Sequence, residues 1–182
     1  DAWKNSILNL DQDSEQFILN KLDSSKLNGG IVAIECIESL KKNDTFFIGN
    51  SLPIRDLDLY TSNTDKKILT LANRGASGID GVISTALGIS ENHDKRSLLI
   101  IGDLSFYHDM NGLLASRYKM DITIVVINNN GGGIFSFLPI ADLGIENFQQ
   151  FWTTDIGLDF KKVAELYGCQ YIDVAMVSIT SC

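Results

Sequence analysis

The chain has 182 residues, of which 45% are hydrophobic and 21% charged, and its formal net charge is −8. This composition is ordinary for a globular protein and allows a sizeable core, while the acidic charge argues against a general nucleic-acid binder, which needs a basic face. No apolar run approaches the ~20 residues of a membrane span, and no secretory signal opens the chain. Cys36, Cys169 and Cys182 are widely spaced and form no Cys-x-x-Cys pair, which favours reduced thiols. We therefore expect a cytoplasmic protein without a membrane span.

The two ends of the chain differ from its middle. Residues 1–28 are polar and mixed in charge, which favours a linker or arm from a preceding domain, with a short helix over 14–21. Residues 29–182 would form the main domain. Because the first residue is Asp1 rather than Met, the sequence could be a piece of a longer protein. Residues 175–182 lack the elements that would complete a sheet, so the domain is expected to be truncated there.

Between these ends, helical and strand patterns alternate. Apolar spacing predicts helices over residues 29–42, 53–60, 78–90, 106–117 and 159–167. Apolar, β-rich runs predict strands over residues 45–48, 67–71, 98–101, 122–127 and 170–174. Residues 139–152 are predicted to be a loop with one helical turn. This alternation predicts an α/β fold with a three-layer, doubly wound, mostly parallel sheet.

Two of the predicted strands end in turns that carry oxygen ligands. Asp103 follows the run 98–101, and the Asn128–Asn130 triplet follows the run 122–127, 25 to 27 residues later. Ligands bind at the carboxyl ends of strands in open parallel sheets, so we expect these side chains at one edge. A carboxylate, an amide oxygen and a backbone carbonyl suit Mg²⁺, which completes its shell with phosphate oxygens and water. The glycines at 131–133 would let a carbonyl turn toward the ion.

This spacing resembles the GDG…NN signature of the thiamine-diphosphate (ThDP) enzymes, although Leu104 replaces the usual second glycine. Four blocks narrow the resemblance to the SEPHCHC synthases of menaquinone biosynthesis. They are GNSLPIRDLD at 49–58, NRGASGIDGVISTALG at 73–88, GDLSFYHDMNGL at 102–113 and NNNGGGIFSFLP at 128–139. The resemblance implies a ThDP-binding, flavodoxin-like domain within a transferase that forms a carbon–carbon bond.

The resemblance also implies cofactor contacts. Asp103 and Asn129 would bind Mg²⁺ (or Mn²⁺) through their side chains and Gly131 through its carbonyl. Ile79 would be the apolar residue that holds ThDP in its bent form. The remaining cofactor contacts are expected from Ser51, Gly102, Leu104 and Ser105.

The substrates implied by the resemblance are 2-oxoglutarate and isochorismate, whose carboxylates arginine can bind. Arg55 and Arg74 are predicted to bind these carboxylates, with the Ser51 hydroxyl nearby. An apolar wall is expected from Ile134, Phe135 and Leu138. The two histidines, His93 and His108, are predicted to be exposed rather than catalytic.

No residue of this chain is expected to activate the cofactor. In the family, the cofactor is activated by a glutamate that lies in a pyrimidine-binding domain of the same or a second subunit. Nothing in this sequence matches that domain. The isolated chain would therefore be inactive, and the longer protein would be a homo-oligomer. Two alternatives stay open: another ThDP-dependent decarboxylase or synthase, and a non-catalytic, flavodoxin-like phosphate-binding module.

Overall fold

The computed structural model describes residues 2–22 and 26–174. Its centre is a sheet of four parallel strands in the spatial order β2-β1-β3-β4. The strands are β1 (Thr45–Ile48), β2 (Leu69–Ala72), β3 (Ser97–Gly102) and β4 (Ile122–Ile127). The parallel, doubly wound sheet predicted from the sequence is confirmed.

Seven α-helices and four further helical segments lie between and beyond the strands in the described part of the chain. The α-helices are α1 (Ala2–Lys21), α2 (Gly29–Ser39), α3 (Leu52–Tyr60), α4 (Val82–Glu91), α5 (Asp103–Asp109), α6 (Ile145–Phe148) and α7 (Phe160–Leu166). Three 3₁₀ segments span Met110–Tyr118, Gly133–Phe137 and Pro139–Leu143, and a π-helical turn spans Gln149–Thr153.

The central strand β3 explains the three layers. Side chains of a strand alternate between its two faces, and here both faces are apolar. Leu98 and Ile100 pack with residues of α2 and α3, whereas Leu99 and Ile101 pack with residues of α4, α5 and α7. A continuous apolar run is therefore what a strand covered by helices on both sides requires.

The strand order places a crevice at the carboxyl ends of β1 and β3. From β1 the chain continues to β2 on one side and then crosses back to β3 on the other. In doubly wound sheets such a reversal leaves a crevice in which ligands bind. Residues 49–51 follow β1 at this point, and Asp103 follows β3.

Helix α1 lies on the outside of the domain. It is longer than the helix predicted over 14–21, and none of its residues is buried. It contacts the body near α3, where Glu15 accepts a hydrogen bond from Ser62. Trp3, Leu10 and Phe17 are exposed by 74%, 60% and 63%. Across residues 2–22 and 26–174, no helix combines the length and the apolar character needed to cross a bilayer.

Two predicted elements are wrong. Residues 170–174 form no strand, because alternating side chains define a strand only when a neighbouring backbone pairs with it, and Ile172 is 81% exposed. The helix predicted over 106–117 is α-helical only to Asp109 and then tightens to a 3₁₀ form. Three residues per turn rotate the later side chains, so Leu113 is buried whereas the neighbouring Leu114 is exposed. Residues 175–182 lie outside the described part.

Candidate ThDP and metal site

Asp103 is the buried anionic group of the crevice. Only 2% of it is exposed, and its two carboxylate oxygens accept hydrogen bonds from the backbone N–H groups of Leu104 and Gly131, both at 2.7 Å. Among the described residues no lysine or arginine forms an ion pair with it. Burial raises the pKa of Asp103, although these backbone hydrogen bonds act in the opposite direction. A buried carboxylate that only backbone donors offset is suited to a cation.

The glycine run after β4 is folded against this carboxylate. Gly131 donates to Asp103 and has φ +122°, a conformation that favours glycine. Gly132 donates to the carbonyl of Thr153 at 2.6 Å, and its φ and ψ of −75° and 61° form an inverse γ-turn. In that turn the carbonyl of Gly131 accepts from Gly133 N–H at 2.9 Å. The carbonyl keeps a second lone pair for a further partner.

The asparagine triplet divides into structural and available members. The side-chain oxygen of Asn128 accepts from the N–H of Asn130 at 3.1 Å, which shapes the turn. Asn130 has φ +60°, a left-handed conformation that asparagine tolerates. The amide of Asn129 is exposed and lies beside Gly133, where an added Cβ would come within 2.5 Å of Asn129 Nδ2. Among the described residues, the side chains of Asn129 and Asn130 form no hydrogen bond in this turn, and the Asn129 amide is the one that lies beside the glycine run.

The loop 73–81, which carries Ile79, is tied to both sides of the crevice. Asn50, after β1, donates to the carbonyl of Gly78 at 2.6 Å. Ser105, in α5, donates to the carbonyl of Ile79 at 2.6 Å. The hydroxyl proton of Ser105 is therefore directed at the protein, so any contact of Ser105 with a ligand falls to its other atoms. Ile79 itself is half-buried.

The two predicted substrate arginines line one open cleft. Arg55 and Arg74 share it with Ile48, Ile54, Leu57 and Asp58. Arg55 donates to the carbonyl of Ser51 at 2.7 Å, and Arg74 donates to Asn50 Oδ1 at 3.2 Å. Both guanidinium groups are exposed and keep further donors. Ser51 occupies the cap position of α3 with φ +74°, but its side chain makes no capping hydrogen bond.

The predicted apolar wall is only partly packed. Ile134 and Phe135 are half-buried, and the Phe135 ring meets that of Trp152 edge-on at 5.4 Å. Leu138 is 46% exposed. Of the histidines, His108 is exposed as predicted, whereas His93 is half-buried in the turn before β3, at the opposite edge of the sheet.

These residues fit a magnesium ion that carries a diphosphate. No group of three or more His, Cys, Asp or Glu suited to a metal occurs in the described residues, so a site here depends on amide and carbonyl oxygens as well as Asp103. One carboxylate with neutral oxygen donors is the set that Mg²⁺ accepts when phosphate supplies the rest. The burial of Asp103 supports this fit, because a cation would offset the cost of its desolvation.

A comparison with known families agrees with this geometry. Residues 57–179 match the family model described as thiamine pyrophosphate enzyme, C-terminal TPP binding domain. The chain belongs to this family. Its cofactor is therefore ThDP, with Mg²⁺ as the usual metal of such domains, and the α/β fold is the one the sequence predicted.

Full-length relatives of this ThDP-binding domain are much longer than the chain. It is 47% identical over 178 residues to the 2-succinyl-5-enolpyruvyl-6-hydroxy-3-cyclohexene-1-carboxylate (SEPHCHC) synthase of Listeria innocua, covering 97% of the chain and 30% of that protein. It is 41% identical over 179 residues to the protein of the same name from Enterococcus faecalis, covering 97% and 31%. The chain thus spans about a third of these relatives.

Solved structures support the fold. Benzoylformate decarboxylase from Polynucleobacter necessarius superposes with a TM-score of 0.65 at 21% identity, covering 86% of this chain and 30% of that one. A thiamin diphosphate-dependent enzyme from Mycobacterium smegmatis superposes with a TM-score of 0.59 at 18% identity, covering 79% and 26%. At these identities the likeness concerns the architecture of the ThDP-binding domain alone.

Sequence reasoning missed Asn50 as a site residue. Asn50 is 4% exposed and contacts both Arg74 and Gly78. A buried asparagine directly after a buried strand was an available signal, since a buried amide requires partners. Its partners lie 24 and 28 residues away and could not be read from local spacing.

Proposed function

We propose that the chain is the cofactor-binding part of a SEPHCHC synthase, which decarboxylates 2-oxoglutarate and adds the resulting succinyl unit to isochorismate. The observation that carries the proposal is that Arg55 and Arg74 line one cleft at the sheet edge where Asp103 is buried. Both substrates carry carboxylates, which guanidinium groups bind with paired hydrogen bonds. The names of the similar Listeria innocua and Enterococcus faecalis proteins agree with this chemistry.

In this proposal each side of the crevice has its own task. Asp103 and Asn129 hold Mg²⁺ by their side chains, and Gly131 does so by its carbonyl. The diphosphate and thiazolium are contacted by Ser51, Ile79, Gly102, Leu104 and Ser105. ThDP, when bound, would supply a carbon nucleophile and a cationic thiazolium ring that takes up the electron pair left by loss of CO₂.

The substrate side is formed by the cleft and by the apolar wall. Arg55 and Arg74 neutralise and orient the carboxylates, and Ser51 adds a hydroxyl beside them. Ile134, Phe135 and Leu138 exclude water from the apolar part of the substrate.

The rest of the enzyme is also part of the proposal. Residues 1–28 serve as an arm and residues 29–182 as the ThDP domain, and a pyrimidine-binding domain from the same or a second subunit supplies the activating glutamate. The complete enzyme is a cytoplasmic homo-oligomer, and this chain alone does not turn over. Turnover by the isolated chain at the rate of the full-length enzyme would contradict this division.

Steady-state kinetics of the full-length enzyme test the substrate assignment. Arg55→Ala and Arg74→Ala are each expected to raise KM for a carboxylate substrate by about 10- to 150-fold, the equivalent of the ~1.5–3 kcal/mol of a charged hydrogen bond. Arg117→Ala is the matched control, since Arg117 is an exposed arginine that instead stacks on Tyr118. Unchanged KM values in both cleft variants would favour another ThDP decarboxylase or synthase.

Calorimetry tests the metal assignment. ThDP binding to the full-length enzyme should require Mg²⁺, and Asp103→Asn should weaken it at least about 10-fold, because the charged ligand is lost. Asn128→Ala provides a comparison at the neighbouring turn and should weaken binding less. Metal-independent binding, or a preference for a nucleotide over ThDP, would favour a phosphate-binding module instead.

A further inference from the structure

Two consecutive carbonyls of the loop 73–81 are held by side chains from opposite sides of the crevice. Asn50 Nδ2 donates to the carbonyl of Gly78, and Ser105 Oγ donates to the carbonyl of Ile79, both at 2.6 Å. Both donors are buried, at 4% and 3% exposure, whereas Gly78 lies in the exposed stretch 74–78. The exposed loop is therefore fastened at its base by two buried donors.

Asn50 has a second contact that Ser105 lacks. Its side-chain oxygen accepts from the guanidinium of Arg74 at 3.2 Å, while its nitrogen donates to Gly78. One amide thus fixes both the start of the loop, at Arg74, and the carbonyl just before Ile79. A side-chain amide can do this because its donor and its acceptor are separate atoms.

We infer that Asn50 and Ser105 are positioning residues that set the loop 73–81 for catalysis. The inference rests on the proposed function, in which Ile79 supports the cofactor and Arg74 binds a substrate carboxylate. Ser105 fixes the position of the Ile79 backbone relative to the start of α5. Asn50 fixes the same loop and also holds the Arg74 guanidinium in place without neutralising it, since an amide oxygen carries no full charge.

Three variants of the full-length enzyme separate these tasks. Ser105→Ala removes the bond to Ile79, Asn50→Ala removes both bonds of the amide, and Asn50→Asp keeps an acceptor for Arg74 but removes the donor to Gly78. Ser90→Ala is the matched control. Ser90 is also a buried serine whose hydroxyl faces a backbone carbonyl, 3.5 Å away in Asp121, but it lies at the end of α4 remote from the crevice.

The first readout is independent of activity and of cofactor. Cleavage of the peptide bond between Gly78 and Ile79 by thermolysin, which cuts before large apolar residues, should speed up about fivefold or more in all three variants of the cofactor-free enzyme. That change corresponds to one lost hydrogen bond of ~1 kcal/mol, because cleavage requires the loop to open. The same peptide bond should be cleaved at the parent rate in Ser90→Ala. Parent-like cleavage in Asn50→Asp and Ser105→Ala would overturn the inference, even if Asn50→Ala failed to fold.

The second readout distinguishes positioning from simple packing. Asn50→Asp places a carboxylate against the Arg74 guanidinium, so it should raise KM for the carboxylate substrate more than Asn50→Ala does. A merely structural Asn50 predicts the reverse order, because alanine leaves the larger void. Ser105→Ala should instead weaken ThDP binding about fivefold to tenfold by calorimetry, with a smaller effect on KM.

Arg74→Ala tells failure of the inference from failure of the proposed function. A parent-like KM in Arg74→Ala would refute the substrate role of Arg74, whereas the rate of cleavage before Ile79 would still decide whether Asn50 and Ser105 hold the loop. An increased KM in Arg74→Ala together with the reverse order for the two Asn50 variants would leave the proposed function standing and refute the positioning role.

Discussion

Replacement of Gly131 by alanine should damage the proposed metal site and the fold together. Gly131 has φ +122°, far from the left-handed well near +57° that alanine can occupy at modest cost. The backbone strain alone is expected to cost about 1–3 kcal/mol. A Cβ added here would also overlap the carbonyl oxygen of Thr153 and lie 2.8 Å from its carbonyl carbon.

This overlap has no inexpensive relief, because the neighbouring atoms belong to the backbone. Moving the Thr153 carbonyl stretches its 2.6 Å bond from Gly132, and moving Gly131 stretches its 2.7 Å bond to Asp103. Losing a neutral hydrogen bond costs about 0.5–1.5 kcal/mol and losing one to a charged group about 1.5–3 kcal/mol. Together with the strain, Gly131→Ala should destabilise the chain by about 3–7 kcal/mol.

Gly144 provides the control for the backbone contribution. It has φ +108°, and a Cβ added there meets nothing within 4 Å. Gly144→Ala should therefore cost only the strain of about 1–3 kcal/mol. The difference between the two variants, about 2–4 kcal/mol, isolates the collision with Thr153.

Urea unfolding measures that difference. Fluorescence of Trp152 reports on the site directly, and Trp3 is 74% exposed and can be replaced by phenylalanine to leave one signal. With an m-value of about 2 kcal/mol per molar urea, the two midpoints should differ by roughly 1–2 M. Equal midpoints for Gly131→Ala and Gly144→Ala would refute the packing of this turn against Thr153.

Three further predictions concern the core and the opposite edge of the sheet. Burial, with a smaller contribution from Glu35, raises the pKa of Cys36 to about 12 from 9.0. The folded state therefore holds the proton more tightly, and stability should fall as the pH rises from 9 toward 12. Between pH 8 and pH 10.5 the parent should lose about 2 kcal/mol more than Cys36→Ala in urea titrations, and equal losses would show that the thiol ionises freely. Arg96→Ala leaves the carboxylate of Asp44 without its ion-pair partner, 3.0 Å away, and should cost about 1.5–3 kcal/mol in the same assay, with partial recovery in Arg96→Lys and no effect if the pair is screened. Phe46 in β1 has a fully buried side chain, so Phe46→Ala should lower the free energy of unfolding by about 3–5 kcal/mol. A loss below about 1 kcal/mol would place β1 outside the core.

The sheet could be predicted because burial on both faces leaves a direct record in sequence. The strands over 45–48 and 122–127 have the predicted bounds, since each is a continuous β-rich run bounded by polar turns. The helix at 160–166 was equally predictable from sequence. The Asp159 side chain caps it by accepting a hydrogen bond from the Lys162 N–H, and Gly168 follows its end with φ +68°. In these segments the local signals and the tertiary environment agree.

Other elements depend on contacts that the local sequence does not contain. The strand predicted over 170–174 has suitable side chains, but pairing requires a neighbouring backbone. The helix predicted from Gly78 begins at Val82, because Asn50 and Ser105 hold the preceding carbonyls in a loop. The length of helix α1 was underestimated because the helix has no buried face, so no apolar periodicity marks its full extent.

The individual site residues were predictable only as far as their strand ends. Asp103 and the glycines after β4 could be placed at one edge because parallel strands bring their carboxyl ends together. Two contacts could not be predicted: the hydrogen bond from Gly131 to Asp103 and the one from Arg74 to Asn50. Both depend on turns whose geometry is set by distant backbone atoms.

The hydrogen bond between Gly132 and Thr153 separates the segment 134–152, an exchangeable insert, from the rest of the domain, which serves as its frame. It brings together the two ends of the segment 134–152, and the proposed metal ligands all lie outside that segment. Several large apolar side chains within it, such as Phe137 and Phe151, are exposed and pack loosely on the frame. Doubling the length of a flexible closed loop costs only about 0.6 kcal/mol. Natural variation or design could therefore replace the whole segment, and with it the proposed apolar wall, while the proposed magnesium ligands stay in place.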